Sequence, residues 1–146
     1  MRIRRLDAES LRDSVLAVSG WLSEELYGDP VPVMEAEVGQ IVIAQDNRGG
    51  ERKPTTTSDL EGEEYRPSIY IQVRRCRPLA MLESFDSPVV TPNCPKRNSS
   101  NVTPQSLLIM NSDFVLEYSE RFARRLQAES PGSVKEQLIR GRQFSL

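Results

Sequence analysis

The sequence of 146 residues predicts a mainly α-helical domain with one small antiparallel β-hairpin, which is an α+β arrangement. Near both ends of the chain, apolar residues recur at intervals of three and four, which is the period of a helix face. Between these stretches, β-branched residues alternate with polar ones over short runs, which is the period of a strand. A chain of this length forms one domain, here residues 1–146.

Five apolar residues predict the first helix, because their spacing places them on one helix face. They are Leu11, Val15, Val18, Leu22 and Leu26. Asp7 can cap the start of this helix, and Gly28 with Pro30 is expected to end it. Gly20 would then lie inside the helix, where glycine costs about 1 kcal/mol relative to alanine.

Two short strands are predicted in the middle of the chain, over residues 38–44 and 68–73. In the second, Ile69 and Ile71 alternate with Tyr70 and Gln72. The stretch between the strands, residues 45–66, is rich in Gly, Thr and charged residues, so we expect a flexible polar excursion. The two strands should pair as an antiparallel hairpin across this excursion, with a helix over one face.

A short helix and a long loop are predicted next. Pro78 suits the first position of a helix that runs to Phe85. The loop over residues 86–103 contains several prolines and asparagines. Loops of this length are usually functional or disordered, and here we expect an ordered one between the short helix and the long C-terminal helix.

Thr103 as cap and Pro104 at the first position begin the long helix, and residues 111–113 could restart it. Its apolar stripe consists of Leu107, Met110, Phe114, Tyr118, Phe122 and Leu126. Ser133 and Glu136 form a capping box for a last helix.

Composition excludes several classes of protein. The chain has no histidine, which excludes a Ser-His-Asp or Cys-His centre, a His-ligated zinc and haem attached through Cys-x-x-Cys-His. We therefore expect no cofactor in this chain. The net charge of −2 offers no basic field for nucleic acid. No apolar run approaches the roughly 18–20 residues of a membrane span, and no signal peptide is expected in this chain.

Two cysteines leave the redox state of the chain open. A disulfide between Cys76 and Cys94 would close a loop of about 18 residues and add about 3 kcal/mol of stability. Two unpaired thiols are the alternative. Without further ligands, two cysteines do not make a metal site.

The region around Asp86 offers the most chemistry, and three interpretations apply. Glu83 and Asp86 could serve as acid and base in a glycoside hydrolase. Asp86 with Asn93, Asn98 and Asn101 could offer oxygen ligands to calcium, although the spacing fits no known calcium loop.

The interpretation we favour is a buried polar network, because a packed irregular loop must satisfy its backbone groups internally. Suitable partners are Asp86, Arg97, Asn98, Gln105 and Asn111. Arg97 could bridge Asp86 to loop carbonyls. Phe85, Phe114 and Phe122 are most simply core residues.

Four segments of the chain, in order, resemble a known family. They are LDAESLRD with LAVSG in residues 6–20, RPSIY in residues 66–70, MLESFD in residues 81–86, and RNSSNVTPQSL with MNS in residues 97–112. Together they look like the C-terminal domain of unknown function of large planctomycete proteins, which also carry a planctomycete-type cytochrome c domain. The positions that match its motif are Phe85, Asp86, Arg97, Asn98, Thr103, Pro104, Gln105 and Asn111.

The resemblance implies a context rather than a reaction. The full-length proteins are exported, so this chain would work outside the cytoplasm, in the periplasm or secreted. They bind haem c in another domain, and their genes suggest a role in degrading extracellular carbohydrate. Compared with the family, residues 1–146 look like the middle and later part of the domain. A fragment of this kind would expose apolar faces such as the first helix stripe, and self-association would follow.

These observations give a leading hypothesis and two alternatives. The leading hypothesis is a non-catalytic, extracytoplasmic binding or scaffold domain of a larger haem-c-containing protein, with other domains of that protein, including its cytochrome c domain, or carbohydrate as partners. The rival is a carbohydrate-active enzyme domain that uses Asp86 and Glu83. The third interpretation is a degenerate fragment with no independent function, which a non-cooperative thermal melt would support.

Overall fold

The computed structural model describes residues 5–36, 39–44, 60, 62–74, 78–88, 100 and 102–144. Its elements are helix α1 (Ala8–Ser19), strands β1 (Val33–Glu35) and β2 (Ile41–Ile43), and helices α2 (Ala80–Ser84), α3 (Thr103–Asn111), α4 (Asp113–Glu129) and α5 (Val134–Phe144). Two 3-10 turns, Glu63–Tyr65 and Ser68–Tyr70, lie between β2 and α2. The predicted fold class is confirmed. Within the described ranges, no helix is long and apolar enough to span a membrane.

Gly20 ends α1, so the prediction that this glycine lies inside a longer helix is wrong. Gly20 adopts a left-handed conformation with φ of 82°. Its N–H donates to the carbonyl of Ala17 at 3.1 Å, and the N–H of Trp21 donates to the carbonyl of Leu16 at 2.9 Å. This is the Schellman pattern, in which a left-handed glycine satisfies the last carbonyls of a helix.

The apolar stripe of the first helix is therefore shorter than predicted. Leu22 and Leu26 lie beyond α1, and the side chain of Leu26 is exposed. At the other end, Asp7 occupies the predicted N-cap position, and its carbonyl accepts the N–H of Leu11 at 2.8 Å. The helix keeps its inward face, on which Leu16 is fully buried.

The hairpin has a different partner strand from the one predicted. β2 lies within the predicted strand over residues 38–44, but it pairs antiparallel with β1, with Val33 opposite Ile43 and Glu35 opposite Ile41. The N–H of Ala36 donates to the carbonyl of Gln40 at 2.7 Å and closes the turn. A local pairing wins because a short loop costs less entropy to close than a long excursion does.

The second predicted strand, residues 68–73, is wrong. Its first half forms the Ser68–Tyr70 turn, and Ile69 is exposed whereas Ile71 is buried. Only Ile71 pairs with a neighbouring segment, through a single parallel bridge to Val31. The physical reason is that Asp13 binds both the N–H and the hydroxyl of Ser68, which folds the chain into a turn.

The apolar core lies between the hairpin and α2, while α1 joins the other elements. Core residues are Val31, Val33, Ile41, Ile71 and Leu79, with Ile43, Tyr70 and Leu82 packed against them. α1 contacts α2, α4 and the Ser68–Tyr70 turn. Displacing α1 would therefore disturb its contacts with all three of these elements.

The later helices follow the prediction with small shifts. α2 begins at Ala80 rather than Pro78, and Thr103 is the first residue of α3 rather than its cap. The helix stops and restarts at Ser112, as residues 111–113 suggest. The predicted apolar stripe is divided at this break. Tyr118 on α4 is buried, whereas Met110 on α3 is exposed.

α5 packs differently from the pattern of its apolar residues. The predicted capping box is confirmed, since the N–H of Glu136 donates to the Ser133 hydroxyl at 3.4 Å and the carboxylate of Glu136 accepts the Ser133 N–H at 3.3 Å. Gly141 and Phe144 face α4. Three aliphatic residues of α5 are exposed instead: Val134, Leu138 and Ile139.

Several predictions lie outside the described residues. They concern residues 45–59 and 61 of the polar excursion, residues 89–99 and 101 of the long loop, and the cysteines Cys76 and Cys94. Residues 62–66, at the end of the excursion, form the Glu63–Tyr65 turn and the buried Arg66.

Substitution of Gly20 should destabilise the domain in a graded way. A left-handed conformation costs an ordinary residue about 1–2 kcal/mol, and asparagine adopts it more readily than other residues do. A Cβ at this position would also lie 3.3 Å from Nη1 of Arg125. We expect the free energy of unfolding, measured by urea denaturation, to fall least for Gly20→Asn, more for Gly20→Ala and most for Gly20→Val. Equal stability of all three variants and the wild type would contradict this.

Candidate functional site

Arg12, on α1, is the centre of a buried polar network. Only 1% of its surface is exposed. Its Nη1 donates to the carbonyl of Arg66 at 3.0 Å and to the Ser68 hydroxyl at 3.2 Å, and its Nη2 donates to the carbonyl of Glu64 at 2.6 Å. The carboxylate of Asp13 lies 3.3 Å from Nη1. Burial lowers the pKa of Arg12, and the charge of Asp13 opposes that change.

Asp13 completes this network from the neighbouring position on α1. Its Oδ1 accepts the N–H of Ser68 at 2.9 Å and the hydroxyl of Ser68 at 2.6 Å. The hydroxyl proton is thus directed to Asp13, while the lone pairs of the oxygen face Arg12. Because these groups satisfy one another, the network holds the 64–68 segment against α1 rather than offering a free acid or base.

Arg66 is a second buried arginine that donates to backbone carbonyls and to a carboxylate. It is 2% exposed, and its Nη1 donates to the carbonyl of Asp29 and to Glu63 Oε2, each at 2.8 Å. Its Nη2 donates to the carbonyl of Tyr27. The guanidinium also lies over the ring of Tyr70, with its Cζ 4.1 Å from the ring centroid. Arg66 therefore fixes the loop that follows α1.

Asp86 lies at the end of α2, in a left-handed conformation with φ of 62°. Its Oδ2 accepts the N–H of Ser100 at 2.7 Å and Nη1 of Arg5 at 2.9 Å, and its Oδ1 accepts the hydroxyl of Ser100 at 2.9 Å. Hydrogen bonds from the backbone and hydroxyl of Ser100, followed by the charge of Arg5, lower the pKa of Asp86. Gln105 extends the group, because its Nε2 donates to the Ser100 hydroxyl at 3.2 Å.

The predicted site residues separate into three sets. Asp86 and Gln105 come together through Ser100, beside the buried ring of Phe85. A second set is exposed and makes no contact described with Asp86: Thr103, Pro104 and Asn111. The Asn111 amide donates instead to the carbonyl of Leu107 on its own helix. Four predicted residues lie outside the described ranges: Asn93, Arg97, Asn98 and Asn101.

Sequence reasoning missed Arg5 and Ser100, which are the partners of Asp86. Ser100 lies inside the family motif, and this position could have indicated that it belongs to the same group as Asp86. Arg5 precedes the first helix among other arginines, and nothing in its spacing marks it.

The Asp86 group does not favour acid catalysis. Both carboxylate oxygens accept hydrogen bonds from Ser100, and the pKa is lowered, whereas a general acid needs a raised pKa. Glu83 is exposed on α2. Among the described residues, no group of three or more acidic or cysteine side chains could hold a metal ion.

An apolar groove of about 600 Å³ runs along α1 and α4. Its lining consists of Leu6, Leu11, Ser14, Val15, Ala17, Val18, Val115, Tyr118, Ser119, Phe122 and Phe144. Among these described lining residues no side chain is charged, and the polar side-chain groups are the hydroxyls of Ser14, Ser119 and Tyr118. Burial raises the pKa of Tyr118 to about 12, so this hydroxyl stays protonated. We call this feature the α1/α4 groove.

One end of the groove is fixed by an arginine from α4. Arg125 Nη1 donates to the carbonyls of Ala17 and Val18 at 3.2 Å and 2.9 Å, which caps the C-terminus of α1. Arg121, one turn earlier, lies over the ring of Trp21 at 3.9 Å and pairs with Glu117. Arg121 and Arg125 therefore join α4 to the end of α1.

The fold and these sites define a small α+β domain with an open apolar groove, whose described acidic and basic clusters serve structure. The family named PSD1, a protein of unknown function (DUF1553), matches residues 1–143. The chain belongs to this family, which confirms the identification as a domain of unknown function. No curated protein and no solved structure matches the chain.

Arg12→Lys should destabilise the domain strongly. Lysine cannot reach the several acceptors that the guanidinium serves, and breaking a buried charged group costs about 3–5 kcal/mol. The free energy of unfolding from urea denaturation is the measurement. Arg124→Lys is the matched control, because Arg124 pairs with Glu120 on the exposed face of α4, and it should change stability by less than about 0.5 kcal/mol. Similar losses in both variants would contradict the central role of Arg12.

Lowering the pH should reduce the stability that the Asp86 carboxylate gives to the folded domain. A carboxyl whose pKa is lowered on folding stabilises the native state above its unfolded pKa, and this contribution is lost as the pH falls through the lower folded value. Between about pH 5 and about pH 3, the wild type should therefore lose more stability than Asp86→Asn does. Ser100→Ala, which keeps the backbone donor, should fall between them. Parallel pH profiles of all three proteins would show that the carboxylate is not held as described.

Proposed function

We propose that this chain is a non-catalytic binding or scaffold domain that docks against another domain of a larger extracytoplasmic protein. The observation that carries the proposal is the α1/α4 groove, which is long, apolar and uncharged. Exposed apolar surfaces of this extent commonly mark interaction sites.

The lining of the groove suggests what would occupy it. Leu11, Val15 and Val18 on one wall, and Val115 with Phe122 on the other, follow helical spacing. An amphipathic helix lays its apolar residues into such a groove at the same spacing. Polysaccharide suits the groove less well, because three hydroxyl groups provide few of the polar contacts that sugars need.

The proposed partner is a helix from a neighbouring domain of the parent protein, with the cytochrome c domain as the first candidate. The family resemblance supports this choice, because it implies a haem-c domain in the same exported protein. The chain would then bring no cofactor of its own, and its role would be to hold other domains in place.

The rival function, a carbohydrate-active enzyme using Asp86 and Glu83, gains no support from the geometry. Hydrolysis of a polysaccharide by the wild type that disappears in a folded Asp86→Asn variant would establish this rival.

A charge placed in the groove should disrupt docking. Ser119→Arg introduces a cation into the apolar lining, and Ser106→Arg places the same side chain on the exposed face of α3 as a matched control. The measurement is titration calorimetry against the separately produced cytochrome c domain of a longer family member. We expect the wild type and Ser106→Arg to bind with a negative heat-capacity change. The dissociation constant of Ser119→Arg should be at least about tenfold higher than that of the wild type. No binding by the wild type, or unchanged binding by a folded Ser119→Arg, would overturn the proposal.

A further inference from the structure

Tyr27 is displayed on the surface by a rigid backbone. Its side chain is 84% exposed, and its φ of 69° lies in the left-handed region, which is unusual for an aromatic residue. The carbonyl of Tyr27 accepts Nη2 of the buried Arg66, and its N–H donates to the Tyr70 hydroxyl at 3.1 Å. Both backbone polar groups are therefore held, and the ring is directed away from the core.

The residue before Tyr27 extends this apolar surface. Leu26 is 66% exposed. We call Leu26 and Tyr27 the Tyr27 surface. It shares no residue with the α1/α4 groove. Rigid exposed tyrosines flanked by aliphatic residues are typical of binding hot spots, because little side-chain entropy is lost when they are buried.

The charges beside this surface are acidic. Glu24, Glu25 and Asp29 lie within three positions of Tyr27, and residues 20–30 contain no Lys or Arg. Within the described part of the chain, no cation forms a salt bridge with these three carboxylates. Arg66, which binds the carbonyls of Tyr27 and Asp29, is buried and also bonded to Glu63.

We propose that the Tyr27 surface binds a cationic protein segment that carries lysine or arginine beside aliphatic residues. Leu26 offers apolar contact, the ring of Tyr27 offers its face to a cation, and the three carboxylates attract and orient the same partner. This interaction is separate from docking in the groove, so either can fail without the other.

The probe is a fluorescein-labelled peptide of Lys-Leu-Ser repeats, with the corresponding Glu-Leu-Ser peptide as its charge-reversed control. Fluorescence anisotropy with the full chain gives the dissociation constants at low and high salt. We expect the lysine peptide to bind at least about tenfold more tightly than the glutamate peptide, with a preference that declines as salt screens the charges.

Tyr27→Gly separates binding from folding. Glycine adopts the left-handed conformation freely, so the melting temperature should be kept while the lysine peptide binds about tenfold more weakly. The double variant Glu24→Gln with Glu25→Gln should reduce the salt dependence. Leu138→Ser, which alters an exposed leucine on α5, is the matched control and should bind as the wild type does.

Three results would overturn the proposal. One is equal binding of the lysine peptide by folded Tyr27→Gly and by the wild type. Another is a polysaccharide fragment that binds better than the lysine peptide and depends on Tyr27, since this would make the surface a sugar site. The third is a concentration-dependent mass that Tyr27→Gly abolishes, since the occupant would then be a second copy of the chain.

Discussion

The buried guanidinium of Arg12 is the interaction on which the rest of the structure depends. A charge at this depth is tolerated only while its acceptors are all in place, because an unpaired buried ion costs several kcal/mol. Its acceptors come from the 64–68 segment, so α1 and that segment must fold together. The carbonyl of Arg66 is one of them, and the side chain of the same residue fixes the loop at Tyr27. Arg12 and Arg66 together therefore hold the 64–68 segment between α1 and the loop at Tyr27.

In the described part of the domain, the charged side chains near α1 mainly hold other groups of the chain. Arg12, Arg66 and Arg125 bind backbone carbonyls, and Asp13 and Asp86 bind serines. The two surfaces proposed for binding, the α1/α4 groove and the Tyr27 surface, consist instead mainly of apolar side chains. Together, the two proposals describe a domain that joins two partners of different chemistry.

Sequence reasoning succeeded where one local rule decided the outcome. The capping box at Ser133 and the restart of the helix at Ser112 depend only on neighbouring residues, and both are confirmed. It failed where long-range polar contacts overrode local pattern. Residues 68–73 alternate as a strand does, but Ser68 is held by side chains from α1, more than fifty residues earlier. The same limit applies to Asp86: its importance was visible, whereas its partner Arg5 lies 81 positions away and no periodicity identifies it.

The hydrogen bonds between Asp86 and Ser100 have a consequence for chain length. They join two points that are 14 positions apart in the chain. The entropy of closing a loop grows only with the logarithm of its length, so each doubling costs about 0.6 kcal/mol. A longer segment between these two anchors would therefore cost the domain little stability. The Asp86–Ser100 contact is for this reason a suitable place at which protein engineers can lengthen the chain.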